Sequence, residues 1–305
     1  MTDALSTALS AAHALLHSVF GFNEFRPGQE EIVRAVLAGE NVLTVMPTGS
    51  GKSLCYQLPA IVRPGLTLVV SPLIALMRDQ VQALTAAGVA AGSLNSSNEP
   101  AENARVMGLL RTGELRLLYV APERLARPDT VEMLAEAHVT LMAIDEAHCV
   151  SQWGHDFRPE YLTLGNVARQ IGGRLQTLAL TATADAPTRG DIVEKLLPAA
   201  PPRVFVRSFD RPNLRLAFQT KERSSRQVLA FVRAHEGESG IVYCSSRRKV
   251  EELAVTLADS GVRALPYHAG LDKRVRDANQ DAFQQEDGVV MTATVAFGMG
   301  IDKPD

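Results

Sequence analysis

A short apolar run, Asn41-Val42-Leu43-Thr44-Val45, opens almost directly into Thr48-Gly49-Ser50-Gly51-Lys52-Ser53. A strand that passes through a glycine loop into a helix is a common way to hold the phosphates of a nucleotide. Glycine lacks a Cβ, so the backbone can curl and aim several N–H groups at one point. Lys52 supplies a point positive charge for β/γ phosphates, and the Ser53 hydroxyl can ligate Mg²⁺. The strict pattern asks for glycine at position 46, where this chain has Met46, so the loop is a variant. The competing assignment is a flexible Gly/Ser turn.

A second feature favours the nucleotide site. The buried-strand pattern Leu141-Met142-Ala143-Ile144 ends in Asp145-Glu146-Ala147-His148. Carboxylates at the C-terminal tip of an apolar strand face the crevice in which an open α/β sheet binds ligand. Asp145 suits Mg²⁺, a hard cation that prefers oxygen ligands, and Glu146 suits the orientation and deprotonation of a water. Alone, such a pair of acids would be read as a helix N-cap.

Short apolar segments at 41–46, 66–71, 115–120, 139–145 and 176–181 alternate with helical patterns. That alternation predicts a parallel, doubly wound α/β sheet. Leu197 to Pro212 carries Pro198, Pro201, Pro202 and Pro212 and is expected to be a linker. A second α/β pattern follows, with strands expected at 214–219, 240–244, 262–267 and 289–294. The chain of 305 residues therefore reads as two domains, 1–205 and 206–305, the second short and incomplete.

Net charge is only −3, so any contact with nucleic acid must follow a local track. Cys55, Cys149 and Cys244 are far apart and form no C-x-x-C pair, which argues against zinc and disulfides. No apolar run approaches the ~18 residues of a membrane span. The N-terminal stretch lacks a signal-peptide pattern. A soluble, intracellular protein is expected.

Several further blocks give the chain a family likeness. Phe20-Gly21-Phe22-Asn23-Glu24-Phe25-Arg26-Pro27-Gly28-Gln29 precedes the glycine loop. Ser71-Pro72-Leu73-Ile74-Ala75-Leu76-Met77-Arg78-Asp79-Gln80 and Tyr119-Val120-Ala121-Pro122-Glu123-Arg124-Leu125 follow it. After the Asp-Glu-Ala-His box come Thr181-Ala182-Thr183, Ile241-Val242-Tyr243-Cys244 and Ala296-Phe297-Gly298-Met299-Gly300. The most specific block is Cys149-Val150-Ser151-Gln152-Trp153-Gly154-His155-Asp156-Phe157-Arg158-Pro159-Glu160-Tyr161. In this order they resemble the N-terminal catalytic part of the RecQ DNA helicases of helicase superfamily 2.

The resemblance implies two RecA-like lobes flanking an ATP·Mg²⁺ cleft. It implies ATP-dependent translocation from 3′ to 5′ on single-stranded DNA, with unwinding of duplex or junction DNA in repair, recombination and replication. A cytoplasmic, nucleoid-associated protein, or one otherwise intracellular with DNA, is expected, and a monomer. Gln29 carries a donor and an acceptor that match the N6/N7 edge of adenine, Phe22 can stack on the base, and Arg26 can lie beside it. By the same resemblance these are the adenine contacts, whereas Phe25 reads as core; the alternative is that Phe22 is core too and Gln29 starts a helix. Trp153, the only tryptophan, lies with His155, Phe157 and Arg158 in the aromatic-rich loop. Aromatic faces stack on unpaired bases, each worth about 1–3 kcal/mol, so this loop is placed to sense single-stranded DNA. A buried Trp153 is the alternative. Arg78 is expected at the DNA by resemblance.

His148, Thr181 and Thr183 are expected either to transmit the nucleotide state or to be satisfied core polar groups. Ser245, in Cys244-Ser245-Ser246-Arg247-Arg248, is expected either at DNA phosphates or at a solvated helix start. Asp302, in Gly298-Met299-Gly300-Ile301-Asp302, is a candidate ribose contact. The arginine-bearing motif that comes next in the family is not in this sequence. The chain as given is therefore expected to bind ATP and single strands with little turnover. Two rival functions remain: an RNA helicase, whose box would read Asp-Glu-Ala-Asp without the Trp153 loop, and an ATP-switched nucleic-acid-binding module.

Overall fold

The computed structural model describes residues 2–96, 98–153, 156–173, 175–198, 200–208, 214–294, 297 and 303. The chain divides into two compact units, Met1–Asp210 and Arg211–Asp305.

The first unit is built on seven strands: β1 Val42–Val45, β2 Leu66–Val70, β3 Ala91–Leu94, β4 Leu117–Val120, β5 Val139–Ile144, β6 Gln176–Thr181 and β7 Arg203–Val206. They form one sheet in the order β3-β4-β2-β5-β6-β1-β7, with every pairing parallel. Alternate side chains feed opposite faces, as the period of a strand requires. Leu43, Leu68, Leu118, Met142 and Ala179 enter one apolar layer. Val42, Val69, Leu117, Ala143 and Leu178 enter the other. Helices cover both faces, which is why these strands read as unbroken apolar runs.

Two of the strands lack a strong sequence signal. β3 reads Ala91-Gly92-Ser93-Leu94 and contains no β-branched residue. Its glycine is needed for packing, because a Cβ at Gly92 would lie 2.6 Å from the Val106 side chain on helix Pro100–Thr112. β7 lies inside the proline-rich stretch expected to be a linker. It pairs with β1 along its whole length, Val42 against Arg203 through Val45 against Val206. Prolines 201 and 202 stand just before it, where an edge strand tolerates them. A boundary at 205/206 would cut this strand, and the compact units meet after Asp210 instead.

The second unit has a three-stranded parallel sheet, β8 Gly240–Tyr243, β9 Ala264–Tyr267 and β10 Val290–Ala293, in the order β8-β10-β9. Phe283, Val289, Met291 and Phe297 form its small core. The strand expected at 214–219 does not form: among the described residues this segment joins no sheet. Its alternation of Leu214, Leu216 and Phe218 satisfies a strand pattern, yet Leu216 is 81% and Phe218 92% exposed. A period-2 pattern becomes a strand only when a neighbouring strand takes up its N–H and C=O groups. Among the described residues no helix is long and apolar enough to cross a membrane.

Candidate nucleotide and coupling site

Four adjacent strands in the first sheet, β2, β5, β6 and β1, bring the sequence motifs to one edge. Their C-terminal tips carry Ser71, Asp145, Thr181 and the glycine loop, the edge at which parallel sheets bind ligands.

The glycine loop leaves β1 through Met46, whose N–H donates to Thr181 O at 3.0 Å. Met46 is buried in the apolar layer beneath the sheet edge, so position 46 serves the core here and the turn starts beyond it. Gly49 and Gly51 take up φ of 77° and 76°, in the left-handed region. Thr48 and Gly49 are exposed, and Ser50, Gly51, Lys52 and Ser53 are half-buried. Lys52 Nζ donates to Met46 O at 3.2 Å, folding back over the loop, and Ser50 Oγ donates to Pro47 O at 2.6 Å. Ser53 leads into helix Leu54–Val62, whose residues 54–60 are buried. That packing fixes where the loop ends.

Arg26 and Gln29 contact this loop, but not as adenine pairing alone would require. Gln29 is 1% exposed, and both ends of its amide are engaged by the chain. Its Oε1 accepts from Arg26 N at 2.8 Å, and its Nε2 donates to Ser50 O at 3.1 Å and Gly51 O at 3.0 Å. Arg26 Nη1 donates to Gly49 O. Phe22 is exposed, and Phe25 packs on the small clusters around Val33 and Leu58. Arg207, which sequence reasoning passed over, follows β7 and pairs with Glu31 in the same neighbourhood. It lies in the space that a Cβ on Gly28 would fill.

Asp145 extends β5, with its N–H donating to Val70 O at 2.9 Å. Burial, then the charge of Glu146, pushes its carboxyl well above the usual range, while Lys52 pulls it back. The Asp145 carboxyl and the Ser53 hydroxyl are hard oxygen donors of the kind that Mg²⁺ prefers. No cluster of three or more His, Cys, Asp or Glu occurs among the described residues.

Glu146 has φ 48° and ψ 44°, a left-handed conformation unusual for a residue with a side chain. Its Oε2 lies 3.3 Å from His148 Nδ1. His148 is buried, and the same Nδ1 is 2.9 Å from Thr181 Oγ1. The Thr181 hydroxyl donates to Thr183 O at 3.0 Å, so Nδ1 must carry the proton toward Thr181. Thr183 N donates to Thr181 Oγ1 at 3.2 Å. A continuous polar chain thus joins the tips of β5 and β6.

The aromatic-rich loop follows His148 directly in the sequence. Trp153 is 79% exposed and does not belong to the core. Its N–H donates to Ser151 Oγ at 3.2 Å, and Arg158 N donates to Cys149 O at 2.9 Å, closing the loop at its root. Arg158 donates to Asp156 Oδ2 through Nε at 3.3 Å and Nη2 at 3.2 Å, and its Nη1 reaches Pro72 O at 3.5 Å. Phe157 is half-buried, as is Arg78 on helix Ile74–Ala86. His155 and Asp302 lie outside the described residues, as does the whole of the 298–302 motif. Ser245 is an exposed residue of the second unit, and its Oγ accepts from Lys249 Nζ at 3.3 Å.

Tyr161 was quoted in the sequence as part of a block and given no role. Its hydroxyl donates to Asp145 O at 2.9 Å from a fully buried ring. Nothing local flags it, because the contact spans 16 positions of the chain.

Comparison with known proteins bears on the family and the fold. The DEAD/DEAH box helicase profile matches residues 26–191, and the helicase conserved C-terminal domain matches 221–305. The chain belongs to the DEAD/DEAH box helicase family, and its sequence likeness runs to the RecQ branch. It is 49% identical over 289 residues to the ATP-dependent DNA helicase RecQ of Pasteurella multocida, covering 95% of this chain and 45% of that one. It is 42% identical over 296 residues to the RecQ of Bacillus subtilis, covering 97% and 50%. The RecQ-like DNA helicase BLM of Xenopus laevis is 43% identical over 302 residues, covering 95% and 22%. The chain thus spans about half the length, or less, of the curated relatives it matches. Among solved structures, Mss116p bound to single-stranded RNA and AMP-PNP superposes with TM-score 0.72 at 15% identity, covering 98% of this chain and 65% of that one. The helicase MrfA bound to DNA gives 0.71 at 19% identity, covering 98% and 43%. These two likenesses are of fold, and the fold is that of RecA-like helicase cores.

Proposed function

We propose that the protein is an ATP-dependent DNA helicase that moves 3′ to 5′ along single-stranded DNA and parts duplex or junction DNA ahead of it. The reading rests on one juxtaposition: an exposed tryptophan on a loop rooted directly behind the Asp-Glu-Ala-His box. A nucleotide site without a track would have no use for an aromatic side chain held in solvent beside its acids.

In this reading the amides of the glycine loop and Lys52 bind the phosphates of ATP. Gln29 monitors the loop, and Phe22 and Arg26 take the adenine side. Ser53 and Asp145 would hold Mg²⁺, which neutralises phosphate charge and supports in-line attack. Glu146 orients the attacking water and accepts its proton. Trp153, Phe157 and Arg158, with His155, receive unpaired bases and backbone, and Arg78 and Ser245 add phosphate contacts that carry no sequence information. His148, Thr181 and Thr183 relay the state of the acids to those contacts. Asp302 completes the set on the ribose. The protein works as a monomer, inside the cell on chromosomal DNA, in repair, recombination and replication.

The test uses the complete gene product. ATP turnover should rise with single-stranded DNA more than with matched RNA, a duplex with a 3′ single-stranded tail should unwind, and both should vanish in Lys52→Ala. Turnover indifferent to DNA, or stimulation by RNA alone, overturns the assignment.

A further inference from the structure

The peptide group between Asp145 and Glu146 is held at both ends. Its N–H, from Glu146, donates to Asp145 Oδ1 at 3.0 Å. Its C=O, from Asp145, accepts from the Tyr161 hydroxyl at 2.9 Å. The orientation of this one peptide sets φ of Glu146, which stands at 48°. A left-handed residue with a side chain persists only where its surroundings over-determine it. The two hydrogen bonds supply that constraint. Neither comes from the regular ladder of β5, which ends at Ile144.

Tyr161 can hold this position only as a donor, and its surroundings keep it one. The ring is fully buried, and the hydroxyl has no water to turn to. Its other connection is along the chain. Tyr161 lies in the short helical turn Pro159–Thr163, directly after Arg158. Arg158 closes the aromatic-rich loop onto Cys149 O and reaches Asp156 and Pro72. The far end of the loop that carries Trp153 therefore terminates on the backbone of the acid pair. On the opposite side, the Glu146 carboxylate meets His148 and, through it, Thr181. Glu146 is thus gripped through its backbone from the root of the loop and through its side chain by His148, which in turn meets Thr181.

We infer that Tyr161 is a positioning residue: its hydroxyl fixes the Asp145–Glu146 peptide so that movement of the aromatic-rich loop is felt as movement of the Glu146 carboxylate. The inference rests on the proposal that Glu146 is the base for the attacking water. Tyr161 touches neither nucleotide nor DNA in this account. The bland alternative is a core tyrosine whose hydroxyl has merely found an acceptor. The two differ in what removing the hydroxyl does to turnover as against binding.

The experiment replaces Tyr161 by Phe in the complete gene product. It measures kcat at saturating single-stranded DNA, KM for ATP, Kd for an unpaired oligonucleotide and Tm. A companion protein carries 4-aminophenylalanine at the same position, which keeps a donor at the end of the ring. Tyr161→Phe should lower the DNA-saturated kcat about tenfold or more, because small displacements of a reacting group are costly. KM and Kd should stay within about twofold, and the amino analogue should recover most of kcat. A kcat within about twofold of wild type overturns the inference. So does a loss carried by KM or Kd, or an amino analogue as impaired as Phe, since each assigns Tyr161 to binding or to packing. Wild-type protein without DNA-stimulated turnover overturns the proposed function itself, and the inference with it.

Discussion

Replacing Thr181 by Val tests the polar chain between β5 and β6 with little change in side-chain volume. The lost oxygen serves three partners: it accepts from His148 Nδ1 at 2.9 Å and Thr183 N at 3.2 Å, and it donates to Thr183 O at 3.0 Å. Thr183 is exposed, so its two backbone groups turn to water at little cost. His148 is buried, but its Nδ1 keeps Glu146 Oε2 at 3.3 Å. One buried polar contact is therefore lost outright, which costs about 1–2 kcal/mol. The backbone is unaffected, because Thr181 O still accepts from Met46 N. For a unit of this size each kcal/mol moves Tm by about 2–4 °C, so thermal unfolding followed by circular dichroism should fall by about 2–8 °C. In the complete gene product the DNA-stimulated component of ATP turnover should fall about tenfold, with nucleotide affinity within about twofold. If Tm and stimulation both match wild type, the His148–Thr181 contact carries no weight and the relay is wrong. A loss above about 4 kcal/mol would equally refute the partner count.

Gly51→Ala places a Cβ 2.5 Å from Gln29 Nε2 at a φ of 76°, and the left-handed strain alone costs about 1–2 kcal/mol. Affinity for a fluorescent ATP analogue should fall roughly tenfold, and unchanged affinity would mean the loop does not bind in this curvature. Burial pushes Cys55 and Cys149 up to about 12, against opposition from Lys52 at Cys55, while Cys244 is partly open to solvent. At pH 8 a thiol reagent should titrate one cysteine quickly in the native protein and the other two only on unfolding, whereas three fast thiols would contradict the burial. The Ser151 hydroxyl, then Lys195, holds the Asp191 carboxyl below its ordinary value. A folded pKa below the unfolded one means its stabilisation is complete above the unfolded value of about 3.9 and is lost as pH falls through the folded value. Asp191→Asn should flatten that part of the acid limb in denaturation measured from pH 5 to pH 2, and an acid limb identical to wild type would remove Asp191 from the account.

Much of the site could be read from residues close together in the chain. The glycine loop, the Asp-Glu-Ala-His box and Thr181–Thr183 each announce themselves within a few residues, because backbone curvature, charge and strand tips are local properties. The exposed position of Trp153 was also legible, since charged and glycine neighbours make burial of the whole stretch costly. Gln29 was legible as a site residue, but its chemistry was not. Its contacts with Ser50 and Gly51 depend on how helix Gln29–Leu37 meets the loop, and no pattern in either segment encodes that meeting.

Sequence alone determined the class of fold and where the glycine loop falls in it. Unbroken apolar strands, alternating with helices, bury both faces in a parallel sheet, and glycines at the tip of one of them let the backbone curl. Tertiary structure decided the rest. It turned a proline-rich stretch into β7 because β1 offered an open edge, and it left 214–219 without a strand because no neighbour stood beside it. It also brought the Tyr161 hydroxyl to the carbonyl of Asp145, a contact between groups with no shared periodicity. Hydrogen bonds between distant segments depend on where packing sets two backbones to within a fraction of an ångström. Composition and spacing carry no such information.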